Sequence, residues 1–175
     1  MNTQLIFRNI GRFVLLILLQ ILVMNNVYLG GYINPIIYVL FILMLPTGMN
    51  KLGILVLAFV SGLTVDIFCN MIGFHAFTCT LVAFARITFA DRILTRDDPV
   101  VIETPSIFSA GWRTYVGFLL LLLFIYNTVY FSIVVFEWED WWKILLLSVL
   151  STIVSGVVCV LYQLVFLRGK ARNNS

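Results

Sequence analysis

The sequence predicts an all-α integral membrane protein with six transmembrane helices, and two observations carry that prediction. Of its 175 residues, 62% are apolar and only 11% are charged, whereas a soluble domain runs near half apolar and about a quarter charged. The few charges also cluster, leaving none from Phe13 to Asn50, Leu52 to Val65, Ile67 to Ala85, Thr114 to Phe136 or Ile144 to Leu167. A water-soluble body of this length needs more polar surface than 11 Lys and Arg with 8 Asp and Glu supply. Long charge-free runs are the signature of helices that cross a bilayer.

The elements follow in order. Arg8 and Arg12 precede the first apolar run, but no small-residue cleavage site follows, so the run reads as a retained first span rather than a signal peptide. The stretch from Phe13 to Asn50 has 38 residues and as one helix would be about 57 Å long, roughly twice the hydrocarbon thickness. Its middle holds Asn25-Asn26, Gly30-Gly31 and Asn34-Pro35, so it divides into two spans at a turn. Lys51 separates the second span from the third, and Asn70 to Gly73 separates the third from the fourth. The six spans are expected at 12–28, 33–49, 52–69, 74–90, 113–135 and 143–166, forming a single polytopic domain over 1–175 with a long loop at 91–112.

Orientation follows from the basic residues. With the N-terminus inside, ten of the 11 Lys and Arg fall on the inner side and only Lys143 lies outside, the asymmetry that the positive-inside rule describes. Both termini are then cytoplasmic, and the outer loop carrying Trp138, Trp141 and Trp142 sits at a headgroup layer. The net charge of +3 is scattered rather than gathered in a stripe, which excludes nucleic acid as the expected partner. Cys69, Cys79 and Cys159 lack metal-ligand spacing and read as small apolar packing residues.

Asp66 is the only acidic residue inside an expected span, and an intramembrane carboxylate is costly enough to imply a function or a partner. Ala58, Gly62 and Asp66 are spaced four apart, giving the third helix a small-residue face that leads to the carboxylate near its outer end. His75, the sole histidine, opens the next helix across a short turn, so the two can meet. One reading is a proton-coupled or substrate-binding pair. The other is a carboxylate satisfied by His75, by Ser or Thr hydroxyls, or by free backbone N–H groups of the turn. Gln20, Asn127, Ser155 and Gln163 are isolated and read as helix–helix contacts. No catalytic motif occurs, and one histidine cannot build a multi-histidine metal centre, so neither an enzyme nor a cofactor is expected.

The stretch Gly62-Leu63-Thr64-Val65-Asp66, followed by Gly73-Phe74-His75-Ala76 and an apolar helix reaching Arg86, resembles the central hairpin of the rod shape-determining protein MreD family. Chain length, short early helices, a loop before the last helical pair and a basic C-terminal tail fit the same family. The resemblance implies a non-catalytic component of the bacterial cell-elongation (rod) complex in the inner membrane. It implies as partners a bitopic MreC-like protein, MreB filaments, and a SEDS glycosyltransferase with its class B penicillin-binding transpeptidase, the whole supporting peptidoglycan synthesis and cell shape. Gly62, Asp66, Gly73 and His75 are the matching positions, with an implied role in shaping the hairpin or a partner surface. The loop at 91–112 and the tryptophan-rich outer loop match no general family pattern. Arg92, Arg96, Asp97 and Asp98 in the former are docking candidates, or else a solvated linker beside anionic headgroups.

The family is also similar in fold to the S-components of energy-coupling-factor transporters, which supplies an alternative: a small-solute (vitamin) binding subunit. For that role the outer halves offer Asp66, His75, Asn25, Asn26, Asn34 and Asn127, a thin set for a pocket. A lipid-interacting or flippase-like protein ranks third.

Overall fold

The computed structural model describes residues 3–24, 35–46, 48–71, 73–93, 105–106, 111–135 and 141–171, with no strand among them. Six helices follow one another: α1 (Thr3–Leu22), α2 (Val39–Leu43), α3 (Lys51–Cys69), α4 (Phe74–Ile93), α5 (Trp112–Val135) and α6 (Trp141–Ala171). Lys51–Cys69, Trp112–Val134 and Trp141–Phe166 are long and apolar enough to cross a membrane, and Phe74–Ala90 is a shorter apolar helix. The third, fourth and fifth expected spans coincide with α3, α4 and α5 to within three residues at each end. Both α6 and α1 extend into basic sequence, so Arg8 and Arg12 lie within α1 rather than ahead of it. No proline separates them from the apolar run, a single Gly11 is tolerated within a helix, and charge alone does not end one.

The second expected span, 33–49, is corrected. Its only helix among the described residues is the five-residue α2, and every residue from Pro35 to Leu45 is buried. Pro35 and Pro46 bracket ten residues, which as a helix would cover about 15 Å, half of a hydrocarbon core. The segment is apolar on all sides because protein surrounds it: α2 touches α1, α3, α4 and α5.

Irregular backbone inside such a core needs partners for its polar groups. Polar side chains of α1 and α6 provide them. The Ile36 N–H donates to Ser155 Oγ at 2.8 Å, the Ile37 N–H donates to Gln20 Oε1 at 2.9 Å, and Gln20 Nε2 donates to the Pro35 carbonyl at 3.2 Å. The Cys159 thiol donates to the Ile36 carbonyl at 3.7 Å. Gln20 and Ser155 thus hold a non-helical segment, where a helix–helix contact was expected. Asn127 and Gln163 do join helices: Asn127 Nδ2 donates to Thr152 Oγ1 at 3.1 Å and Gln163 Nε2 to the Tyr115 hydroxyl at 2.7 Å.

The buried face of α3 comprises Ile54, Ala58, Ser61, Gly62, Val65 and Asp66, and α3 packs most extensively on α4. Hydroxyls on the apolar helices, such as Ser61, Thr78 and Ser148, donate to carbonyls four residues back, so they are satisfied within their own helix. Asn25, Asn26, Asn34, Arg96, Asp97, Asp98 and Trp138 lie outside the described residues, and Arg92 falls within the last turn of α4. Trp141 and Trp142 belong to the first turn of α6, exposed and packed edge to face at 5.7 Å between ring centroids.

Candidate functional site

The turn between α3 and α4 is assembled from the four motif residues. Asn70 ends α3 in the left-handed conformation (φ 53°), its N–H bonded to the Asp66 carbonyl, and the Met71 N–H reaches the same oxygen at 3.0 Å. Gly73, at φ 77°, then turns the chain into α4, and its carbonyl accepts from the Phe77 N–H at 2.9 Å. Gly73 therefore occupies the N-cap position, where Ser, Thr, Asp or Asn ordinarily supplies an oxygen to the second and third helical N–H groups. A glycine has no such oxygen, and its positive φ favours glycine over the residues that do.

Asp66 supplies it from the preceding helix. Its Oδ1 accepts from the His75 N–H at 3.0 Å and its Oδ2 from the Ala76 N–H at 2.8 Å. The carboxylate is 1% exposed, so the two charge-assisted bonds and the positive end of α4 compensate its burial. Gly62, one turn before Asp66, permits the approach: a Cβ there would lie 2.5 Å from Ala76 Cα and 2.6 Å from its N. Asp66 and His75 do meet, but through the histidine backbone rather than its ring.

The ring of His75 points into a second cluster. Its Nδ1 lies 2.5 Å from the Tyr126 hydroxyl and 3.2 Å from that of Tyr38, and the two hydroxyls are 2.7 Å apart. The ring also stacks on Tyr130 at 4.8 Å, whose hydroxyl donates to Met71 Sδ. With each hydroxyl donating once, one proton arrangement makes the two shorter bonds: Tyr38 O–H to Tyr126 O, and Tyr126 O–H to His75 Nδ1, leaving the ring proton on Nε2 and the 3.2 Å Tyr38–His75 approach without a proton of its own. Tyr38, Tyr126 and His75 are at most 2% exposed, so the cluster is closed and binds the buried segment, α4 and α5 to one another.

A further polar group stands toward the other end of α4. Arg86, 2% exposed, donates through Nη2 to the carbonyl of Leu45, just past α2. Tyr38, Tyr126, Tyr130 and Arg86 were not singled out as site residues from the sequence. Tyrosine in an apolar run is the signal that would have found the first three, because a buried hydroxyl requires a partner. Among the described residues no three His, Cys, Asp or Glu side chains gather as a metal site.

The arrangement defines an all-helical chain with apolar helices of membrane-crossing length, whose one described carboxylate is engaged in joining two helices. Comparison with protein-family models, with curated proteins and with solved structures found no match.

Proposed function

We propose that this chain is a non-catalytic, multi-pass component of the bacterial cell-elongation complex, similar to the MreD family. In this reading it binds an MreC-like bitopic protein and helps couple MreB filaments to peptidoglycan synthesis by the SEDS glycosyltransferase and its transpeptidase. The observation that carries the reading is the α3–α4 turn. The residues on which the resemblance rests, Gly62, Asp66, Gly73 and His75, act there as one unit: close approach, cap, turn and donor. A motif that builds a rigid hairpin suits a scaffold, whose task is to hold a surface in place.

In this reading the protein sits in the inner membrane with both termini cytoplasmic, the α3–α4 turn faces outward, and exposed apolar residues of α3 such as Phe59, Leu63 and Ile67 face lipid or a partner helix. The test is affinity purification of the tagged full chain from native membranes in mild detergent, with mass spectrometry of what is retained. Recovery of an MreC-like protein with wall-synthesis components supports the proposal; their absence under conditions that keep the complex intact defeats it.

A second reading, a small-solute subunit with an S-component-like fold, has in its favour only the convergence of polar groups at Tyr38, Tyr126 and His75, which in the closed cluster bond to one another. Recovery of an energy-coupling subunit with its ATPases, or saturable vitamin binding by the purified chain, would select that reading instead.

A further inference from the structure

Arg8 and Arg12 lie four residues apart on one face of α1, close enough to repel each other. Both side chains are half-buried, and Nε of Arg8 and one terminal nitrogen of Arg12 are shielded from solvent without a hydrogen-bond partner. Arg12 is within electrostatic reach of Tyr115 in the first turn of α5 and of Tyr162 in α6, and Tyr115 is within reach of Arg86. Two guanidinium groups, those of Arg12 and Arg86, therefore lie near one tyrosine, with Arg8 beside Arg12. The one carboxylate among the described side chains, Asp66, is engaged at the opposite end of α4.

Shielded cations that repel each other call for an anion, and neutral phenols do not supply the charge. A phosphate group matches both the charge and the planar fork of a guanidinium. The same helix exposes Phe7, Ile10 and Val14 around the pair, at 70%, 52% and 47%. Free phosphate gains nothing from that surface, whereas the acyl chains of a phospholipid cover it.

We propose that Arg8 and Arg12, the latter with Tyr115 and Tyr162 near it, form a binding site for the phosphate group of an anionic phospholipid drawn from the adjacent leaflet. The test uses the full chain purified in an uncharged detergent and titrated with phosphatidylglycerol, phosphatidylcholine or inorganic phosphate, with bound species counted by native mass spectrometry. Phosphatidylglycerol is expected to bind in preference to phosphatidylcholine and to resist displacement by inorganic phosphate at the same concentration. Arg8→Gln and Arg12→Gln are each expected to weaken it about tenfold, as for loss of one charge-assisted contact. Arg113→Gln, an exposed cation at the start of α5, is expected to change it less than about twofold. Arg12→Lys, which keeps the charge and loses the fork, is expected to fall between, and it carries the test if Arg12→Gln does not stay monodisperse. Unchanged phosphatidylglycerol affinity in these arginine variants, equal binding of the two lipids, or ready displacement by inorganic phosphate would overturn the proposal.

Discussion

The carboxylate of Asp66, in the last turn of α3, accepts the backbone N–H of His75 at 3.0 Å, while the backbone carbonyl of the same Asp66 receives the N–H groups that close α3. One residue thus terminates one helix and initiates the next. Asp66→Ala leaves the His75 and Ala76 N–H groups unpaired in an apolar setting, and the expected loss is about 1–2 kcal/mol, the range for removal of a helix cap. Asp66→Asn retains one acceptor oxygen and should lose less. Thermal unfolding of the purified chain in detergent checks the order; equal stability of the Ala variant and the parent would contradict it.

Gly62 is expected to tolerate no side chain. Gly62→Ala drives a methyl group into the backbone of α4, which cannot rotate aside, so the helices must separate. A loss of about 1–3 kcal/mol follows from overpacking of this kind. Gly156→Ala is the comparison, because the methyl there meets only the end of the Leu120 side chain. A smaller loss at Gly156 than at Gly62 in the same unfolding assay is the expected result.

Ser155→Ala and Gln20→Leu each strip a partner from the backbone of the buried segment. An unsatisfied buried N–H costs about 1–3 kcal/mol. The expected signature is local as well as global: faster amide hydrogen exchange at Ile36 in the first variant and at Ile37 in the second, together with lower thermal stability. Exchange rates matching the parent would show that these hydroxyl and amide groups are dispensable.

Tyr126 is the junction of the aromatic cluster, bonded to both Tyr38 and His75. Tyr126→Phe removes the proton that His75 Nδ1 receives and the oxygen to which Tyr38 donates. Nitrogen-15 spectra of labelled histidine should report Nε2–H in the parent and an altered Nδ1 shift in the variant. An Nδ1–H tautomer in the parent would reverse the proton order assigned to the three groups.

Much of this architecture was legible in the sequence because charge and length bound a membrane helix tightly. Lys51 and the Asn70–Gly73 turn delimit α3, and the four-residue spacing of Ala58, Gly62 and Asp66 marks the face that α4 covers. That the second span fails was encoded in Pro35 and Pro46, but a 17-residue apolar window hides how few residues lie between them. Hydropathy measures exclusion from water and is blind to whether lipid or protein provides the shelter. Backbone N–H groups of the turn are among the partners expected for Asp66, but that it caps α4 in place of the N-cap residue follows only once the positive φ of Gly73 is known, and Tyr38 reaches Tyr126 across 88 residues, a pairing no local pattern encodes.

The buried segment between the two prolines bears on biogenesis. Its non-helical backbone has polar groups that bilayer lipid cannot satisfy, so it cannot partition as an independent unit when it leaves the ribosome. One of its partners, Ser155, is synthesised 119 residues after the N–H that it receives. That bond can therefore form only when α6 docks, and a nascent chain stopped before that helix leaves the Ile36 N–H without its partner.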